Sequence, residues 1–244
     1  MRYCGVVPTL GALQLAMLQE VRTPEPPIRL SAIFFEPGSA AQVAAELRAL
    51  DEAVIGVGAP LGGPQAGRSR RASDELLLAL GVTPRPADPE TLELGRLLGL
   101  SVFRPEAEAG DGPVGEGDYR DFPVFETNAD AVFCALQGRL VPAKRHPFGI
   151  QLRIEELTGD HVIDEGGDLW HRRIEELDAA ACALCAHRYA VGHASWLGSP
   201  DDGAVVLPGS ALPDEFPREG VLPPLERVRL PENPGAANKL AGDG

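Results

Sequence analysis

Five consecutive apolar residues, Ala53-Val54-Ile55-Gly56-Val57, constrain this chain more than any other stretch. A strand with one face in water alternates polar and apolar residues. A run without alternation needs cover on both faces, as in the parallel strands of an α/β sheet. The preceding segment can supply that cover: Ser39 reads as an N-cap for a helix through Leu50, with Val43, Ala44 and Leu47 on one side. Upstream, Tyr3 to Val7 stops at Pro8, Ala12 to Leu18 alternates in part, and Ile28 to Phe35 is β-branched and aromatic. The order is a β-meander, a helix and a buried strand.

The rest of the chain continues the α/β pattern. After the turn-rich Ala59-Pro60-Leu61-Gly62-Gly63-Pro64, helices are expected from about Ser73 to Leu80 and from Asp88-Pro89 to near Gly99. Ala107 to Gly117 reads as a loop. Val124-Phe125-Glu126 is a strand, followed by a helix over Thr127–Gly138 capped by Thr127, with Asp130 three residues on. Phe148 to Leu157 is helical, and a long helix runs from Leu169 to about Ala190 with Asp168 as its N-cap. Ala204 to Leu207 is the last strand. One domain over residues 1–210 is expected, then an extended or partly disordered tail over 211–244.

Composition excludes several classes. At 44% hydrophobic the chain can build a core, so full disorder is ruled out. A net charge of −14 disfavours indiscriminate binding to nucleic acid or anionic membrane. The most apolar stretch, Leu177 to Leu197, holds Asp178, His187, Arg188 and His193 and cannot read as a membrane span. Pro8 and Gly11 interrupt the amino-terminal apolar run, and no small-x-small cleavage site follows. Cys4, Cys134, Cys182 and Cys185 are too sparse for a disulfide framework, so a cytoplasmic protein is expected.

The chemistry centres on acids in apolar settings. With the long helix at 100° per residue, Ile174, Leu177, Asp178, Ala181, Cys182 and Cys185 share one face, while Glu176, Ala183 and His187 point away. A carboxylate on a buried helix face needs a cation or several donors. Asp178 is therefore either an internal salt-bridge partner or a carboxylate aimed at a site on the sheet. Glu126, closing an apolar strand, is a second candidate. Cys182-Ala183-Leu184-Cys185 lacks a second pair at zinc spacing and reads as packing. Two basic clusters, Arg68, Arg70 and Arg71 and then Lys144, Arg145 and His146, form either a solvated face or a phosphate-binding rim.

Taken in order, these pieces resemble domain-of-unknown-function family four-twenty-nine, whose members are predicted to be ribonuclease H-like nucleases. The matching stretches are Cys4-Gly5-Val6-Val7, Val54 through Gly62, Val124-Phe125-Glu126-Thr127, Lys144 through Gly149 to Arg153 and Leu157, and Glu176-Leu177-Asp178-Ala179-Ala180-Ala181. The resemblance covers roughly residues 1 to 210. It implies a ribonuclease H-like α/β fold: a mixed sheet, antiparallel meander plus parallel strands, flanked by helices. In such enzymes, carboxylates from the first strand, a central strand and a late helix hold divalent metal ions that activate water. The family pattern expects aspartate where this chain has Val7 and Gly58, while Glu126 and Asp178 match.

The resemblance thus implies nuclease ancestry with a degenerate metal site, and a binding or scaffold protein that is non-catalytic or weakly catalytic, without a cofactor. Its partner would be a protein or nucleic acid, with a homodimer left open. The alternative is a Mg²⁺- or Mn²⁺-dependent nuclease with a rearranged site. Glu126 and Asp178 would then be catalytic and metal-binding, with an acid from Asp164, Glu165 or Asp168 as a further ligand; Arg68, Lys144 and Arg153 would hold the substrate phosphate. Asp51 and Glu52 precede the central strand and lie at its far end, where they cannot substitute.

Overall fold

The computed structural model describes residues 1–24, 28–64, 69–98, 124–199 and 203–218. The loop expected at Ala107–Gly117, the basic residue Arg68 and the tail beyond residue 218 lie outside the described residues. Three antiparallel strands come first, β1 (Arg2–Pro8), β2 (Leu13–Arg22) and β3 (Ile28–Phe34), followed by α1 (Ala40–Arg48) and β4 (Ala53–Val57). Helices α2 (Ala72–Ala79) and α3 (Pro89–Leu98) precede β5 (Val124–Glu126), α4 (Ala129–Gln137) and α5 (Pro147–Gly159). The chain then forms β6 (Val162–Asp164), a 3-10 turn (Leu169–His171), α6 (Ile174–Ala190), β7 (Ala194–Ser199) and β8 (Gly203–Pro208).

These strands make one mixed sheet in the order β6-β3-β2-β1-β4-β5-β8-β7. β4 runs parallel to β1, β5 parallel to β4, and β8 parallel to β5. The meander beside parallel strands, with helices on both faces, is the ribonuclease H-like arrangement that the resemblance implies. The unalternating Val54–Val57 run is buried, as its pattern requires, because α1 and α3 cover one face of the sheet and α6 the other. On the first face, Val6, Leu15, Ile55 and Val57 pack with Val43, Leu47 and Leu94. On the second, Val7, Leu18, Val54 and Phe125 pack with Leu177, Ala181 and Leu184.

Helix α6 lies close on the sheet because β1 carries glycine beneath it. A Cβ on Gly5 would stand 1.9 Å from the Ala179 carbonyl oxygen and 2.4 Å from the Ala183 nitrogen. Both obstacles are backbone and cannot rotate away. The expected α1 cap is present: the Ser39 hydroxyl accepts the Gln42 N–H, and the Gln42 side chain accepts the Ser39 N–H.

The expected long helix from Leu169 is in fact two pieces. Asp168 does cap, accepting the Trp170 N–H at 3.0 Å, but it starts only the 3-10 turn. Arg172 and Arg173 are extended, and α6 begins when the Glu176 carboxylate accepts the Arg173 N–H at 2.7 Å. Nor do Glu176 and Ala183 mark a polar outer side of α6: both are buried, Ala183 against Gly5 of β1, and α4 and α5 also pack on the helix. The cap of α4 is Asn128, whose Oδ1 accepts the Ala131 N–H; Thr127 instead donates to the Val206 carbonyl at 2.7 Å. Strands β6 and β7 carry no sequence pattern strong enough to announce them. Phe216, beyond residue 210, is buried in the main core, and its N–H donates to the Leu80 carbonyl.

Candidate functional site

The carboxyl-terminal ends of β1, β4 and β5 come together beneath α6, where Cys182 lies over Gly58. Parallel pairing sets Val6 beside Val57 and Val57 beside Glu126, so Val7, Gly58 and Glu126 come at neighbouring strand ends. The Gly58 N–H donates to the Val6 carbonyl at 2.7 Å, and the Thr127 N–H to the Val57 carbonyl at 2.8 Å. The Glu52 backbone carbonyl, by contrast, accepts the Arg2 N–H at the opposite end of the same strands, as expected from its place before β4.

Where the resemblance expects two aspartates, the space is apolar and full. A Cβ on Gly58 would lie 2.7 Å from Val7 Cγ1 and 2.8 Å from Cys182 Sγ. Val7 and Cys182 are both wholly buried. Burial pushes the Cys182 thiol well above its usual range, and the nearby Asp178 carboxylate adds to this. Cys185, one turn on, is also pushed up to about 12 by burial. Neither thiol of this Cys-x-x-Cys segment is a ready nucleophile or metal ligand.

Glu126 and Asp178 are buried as well, at 1% and 2% exposure, and each meets cations from the chain itself. Glu126 Oε2 accepts from the Arg71 guanidinium and Oε1 accepts the Leu61 N–H at 2.7 Å. Arg71, only 3% exposed, also grips Asp74 through two nitrogens, at 2.9 and 3.2 Å. Asp178 Oδ2 accepts from Arg85 at 2.8 Å and from Lys144. Lys144 reaches on to Asp130 Oδ2 at 3.4 Å, and Asp130 Oδ1 accepts from Arg153 at 2.7 Å. Among the described residues, the buried Asp178 Oδ1 has no hydrogen-bond partner.

Burial raises the Glu126 carboxyl above the usual carboxylate range, against the pull of Arg71 and the Leu61 N–H. Burial also raises Asp178, against the pull of Lys144 and Arg85. Asp130 goes the other way: burial opposes its ionisation, but Lys144, Arg153 and Arg85 together outweigh it and hold the carboxyl below that range.

Of the residues singled out from sequence, the fold joins Lys144 to Asp178 directly and Arg153 to both through Asp130. Glu126 sits at the neighbouring strand end with Arg71. Arg153 is 1% exposed, with its guanidinium held by the carbonyls of Pro142 and Gly149 as well as by Asp130. Asp164 is clamped by Arg172 at 2.6 and 2.9 Å, at the β6 edge of the sheet. Asp168 is exposed and caps the 3-10 turn. Arg85 escaped the sequence reading entirely, and Arg71 read as part of a surface cluster.

The metal pair implied by the fold family does not fit the residues present. Hard divalent cations take about six oxygen ligands. Valine and glycine side chains offer none, and three of the four carboxylate oxygens of Glu126 and Asp178 are already taken by donors. Among the described residues, no group of three or more His, Cys, Asp and Glu side chains comes together that could hold a metal ion.

Among the described residues, no helix is long and apolar enough to cross a membrane. The solved structure of Thermus thermophilus RuvC is similar to this chain at 16% identity and a TM-score of 0.40, covering 78% of this chain and 95% of that one. No curated protein matches. A family model described as "Protein of unknown function (DUF429)" matches residues 28–202, well over half of the chain, and the chain belongs to that family.

Proposed function

We infer that this chain is a binding or scaffold protein of nuclease ancestry whose metal site is degenerate, and that it is non-catalytic or at most weakly catalytic. The observation that carries this reading is the apolar contact among Val7, Gly58 and Cys182, which puts no side-chain oxygen at either strand end and leaves no free space beside Gly58. The partner is a protein or a nucleic acid, with a second copy of the chain as one form. All four cysteines are buried free thiols, which supports a cytoplasmic placement.

The competing reading, a Mg²⁺- or Mn²⁺-dependent nuclease drawing a third acid from residues 164–168, has less support. Asp164 is committed to Arg172 and Asp168 to its turn, while Lys144 and Arg153 are committed to acids rather than turned to a phosphate. A thermal-shift titration with Mg²⁺ and Mn²⁺ tests the choice. The inferred function predicts no saturable rise in melting temperature that Asp178→Asn removes. Such a rise, together with metal-dependent cleavage of DNA or RNA, would establish the nuclease reading instead.

A further inference from the structure

Two buried carboxylates, Glu126 at the end of β5 and Asp178 on α6, pose an electrostatic problem that ribonuclease H-like enzymes solve with metal ions. This chain solves it from connecting segments. Arg71 precedes α2, Arg85 lies between α2 and α3, and Lys144 lies between α4 and α5, so none belongs to the sheet or to α6. Each reaches inward to a carboxylate that the resemblance assigns to metal binding. With Arg153, four cations meet four acids in two groups, Arg71 with Asp74 and Glu126, and Arg85, Lys144 and Arg153 with Asp130 and Asp178, and their charges together sum to zero with no ion added.

Lys144 carries the comparison furthest. Its ammonium lies between Asp178 Oδ2 on α6 and Asp130 Oδ2 on α4, where it bridges two carboxylates from different helices as a bound cation would. A guanidinium or ammonium is a permanent part of the chain, so the bridge needs no metal concentration to persist. It offers no exchangeable water, however, so it cannot generate a metal-bound nucleophile.

We propose that Arg71, Arg85 and Lys144 are resident counter-cations standing in the electrostatic place of the ancestral metals. The Arg71 group thereby holds α2 to the end of β5, and the Lys144 group joins α4 to α6, independently of any divalent ion. This rests on the degenerate-site reading above and adds to it which side chains took over the charge. It also implies that removing one of these cations re-creates a demand for positive charge at a buried acidic site.

The test uses the full chain and Mn²⁺ alone as the probe. Lys144→Met keeps most of the aliphatic stem and deletes the charge. The expected result is a melting temperature lower by roughly 5 °C, as for loss of a charge-assisted hydrogen bond in a domain of this size. Millimolar Mn²⁺ is expected to recover part of that loss in the variant while leaving wild type unmoved. In Lys144→Met/Asp178→Asn the loss should be smaller and the Mn²⁺ response absent. Lys144→Arg should melt near wild type and ignore Mn²⁺.

A Lys144→Met protein as stable as wild type, or one that loses stability and gains no Mn²⁺ response, would overturn the proposal. If Lys144→Met does not fold, folding of Lys144→Arg supports the need for a cation there, and failure of both counts against it. A Mn²⁺ response in wild type itself would instead contradict the degenerate-site reading, so the two failures are told apart by which protein responds.

Discussion

Val7 occupies the space that a side chain at position 58 would need: a Cβ built on Gly58 stands 2.7 Å from Val7 Cγ1. The two residues end the adjacent parallel strands β1 and β4, and Cys182 on α6 closes over both. The space beside Gly58 is filled by apolar side chains and a thiol.

Gly58→Ala should therefore cost about 1–3 kcal/mol, because the new methyl group meets packed side chains on two sides. Val7→Ala opens part of that space, so the double variant should lose less than the sum of the two singles. Chemical denaturation of the three variants measures the coupling. Strict additivity would mean that the residues do not share the space.

Asp130→Asn should destabilise by about 3 kcal/mol, more than an ordinary surface change. Arg153 is almost wholly buried, and among the described residues Asp130 is the one carboxylate bonded to its guanidinium; its remaining bonds there go to carbonyls, and its Nε has no partner among them. Lys144 loses a partner in the same step. Urea denaturation of the variant checks this, and a loss within about 0.5 kcal/mol would show that the Arg153 charge needs no counter-ion.

His187 gives the chain an acid-sensitive point away from the site. Its ring packs edge-on against Tyr3 of β1, its Nε2 lies 3.4 Å from Glu20 Oε1 on β2, and its buried Nδ1 has no partner among the described residues. Burial and then Arg188 lower its pKa, against the opposing pull of Glu20 and Asp160. With the folded value below the ordinary one, the unfolded chain takes the proton first as pH falls. The stability held by neutral His187 is complete above about pH 6.5 and is lost as pH drops toward the folded value. Wild type should thus lose more stability than His187→Leu between about pH 7 and pH 5, measured by denaturation at stepped pH. Parallel slopes for the two proteins would refute it.

What the sequence conveyed depended on distance along the chain. The α1 cap spans three residues, and the unalternating Val54–Val57 run needs only its own composition to show that it is buried on both faces. Asp178 on an apolar helix face announced that a cation must meet it. It could not say which of 22 lysines and arginines would do so, since Arg85 and Lys144 lie 93 and 34 residues away. Arg71 was masked by its neighbours: a run of arginines looks solvated, yet Arg70 is exposed while Arg71 turns in to Glu126. Helical periodicity sets Ala183 and His187 opposite the apolar stripe of α6, yet both lie against the sheet, because a helix covered by strands and by α4 and α5 is buried on more than one side.

The most direct test of the account counts tightly bound Mn²⁺ on the native protein by electron paramagnetic resonance, following the free-ion signal as protein is added. An acidic chain of net charge −14 binds some Mn²⁺ weakly at its surface, so the comparison is with Glu126→Gln/Asp178→Asn. The account predicts the same weak, salt-sensitive depletion of free Mn²⁺ by both proteins. A tight site present in wild type and lost in the double variant would contradict it, and would return these two carboxylates to metal chemistry.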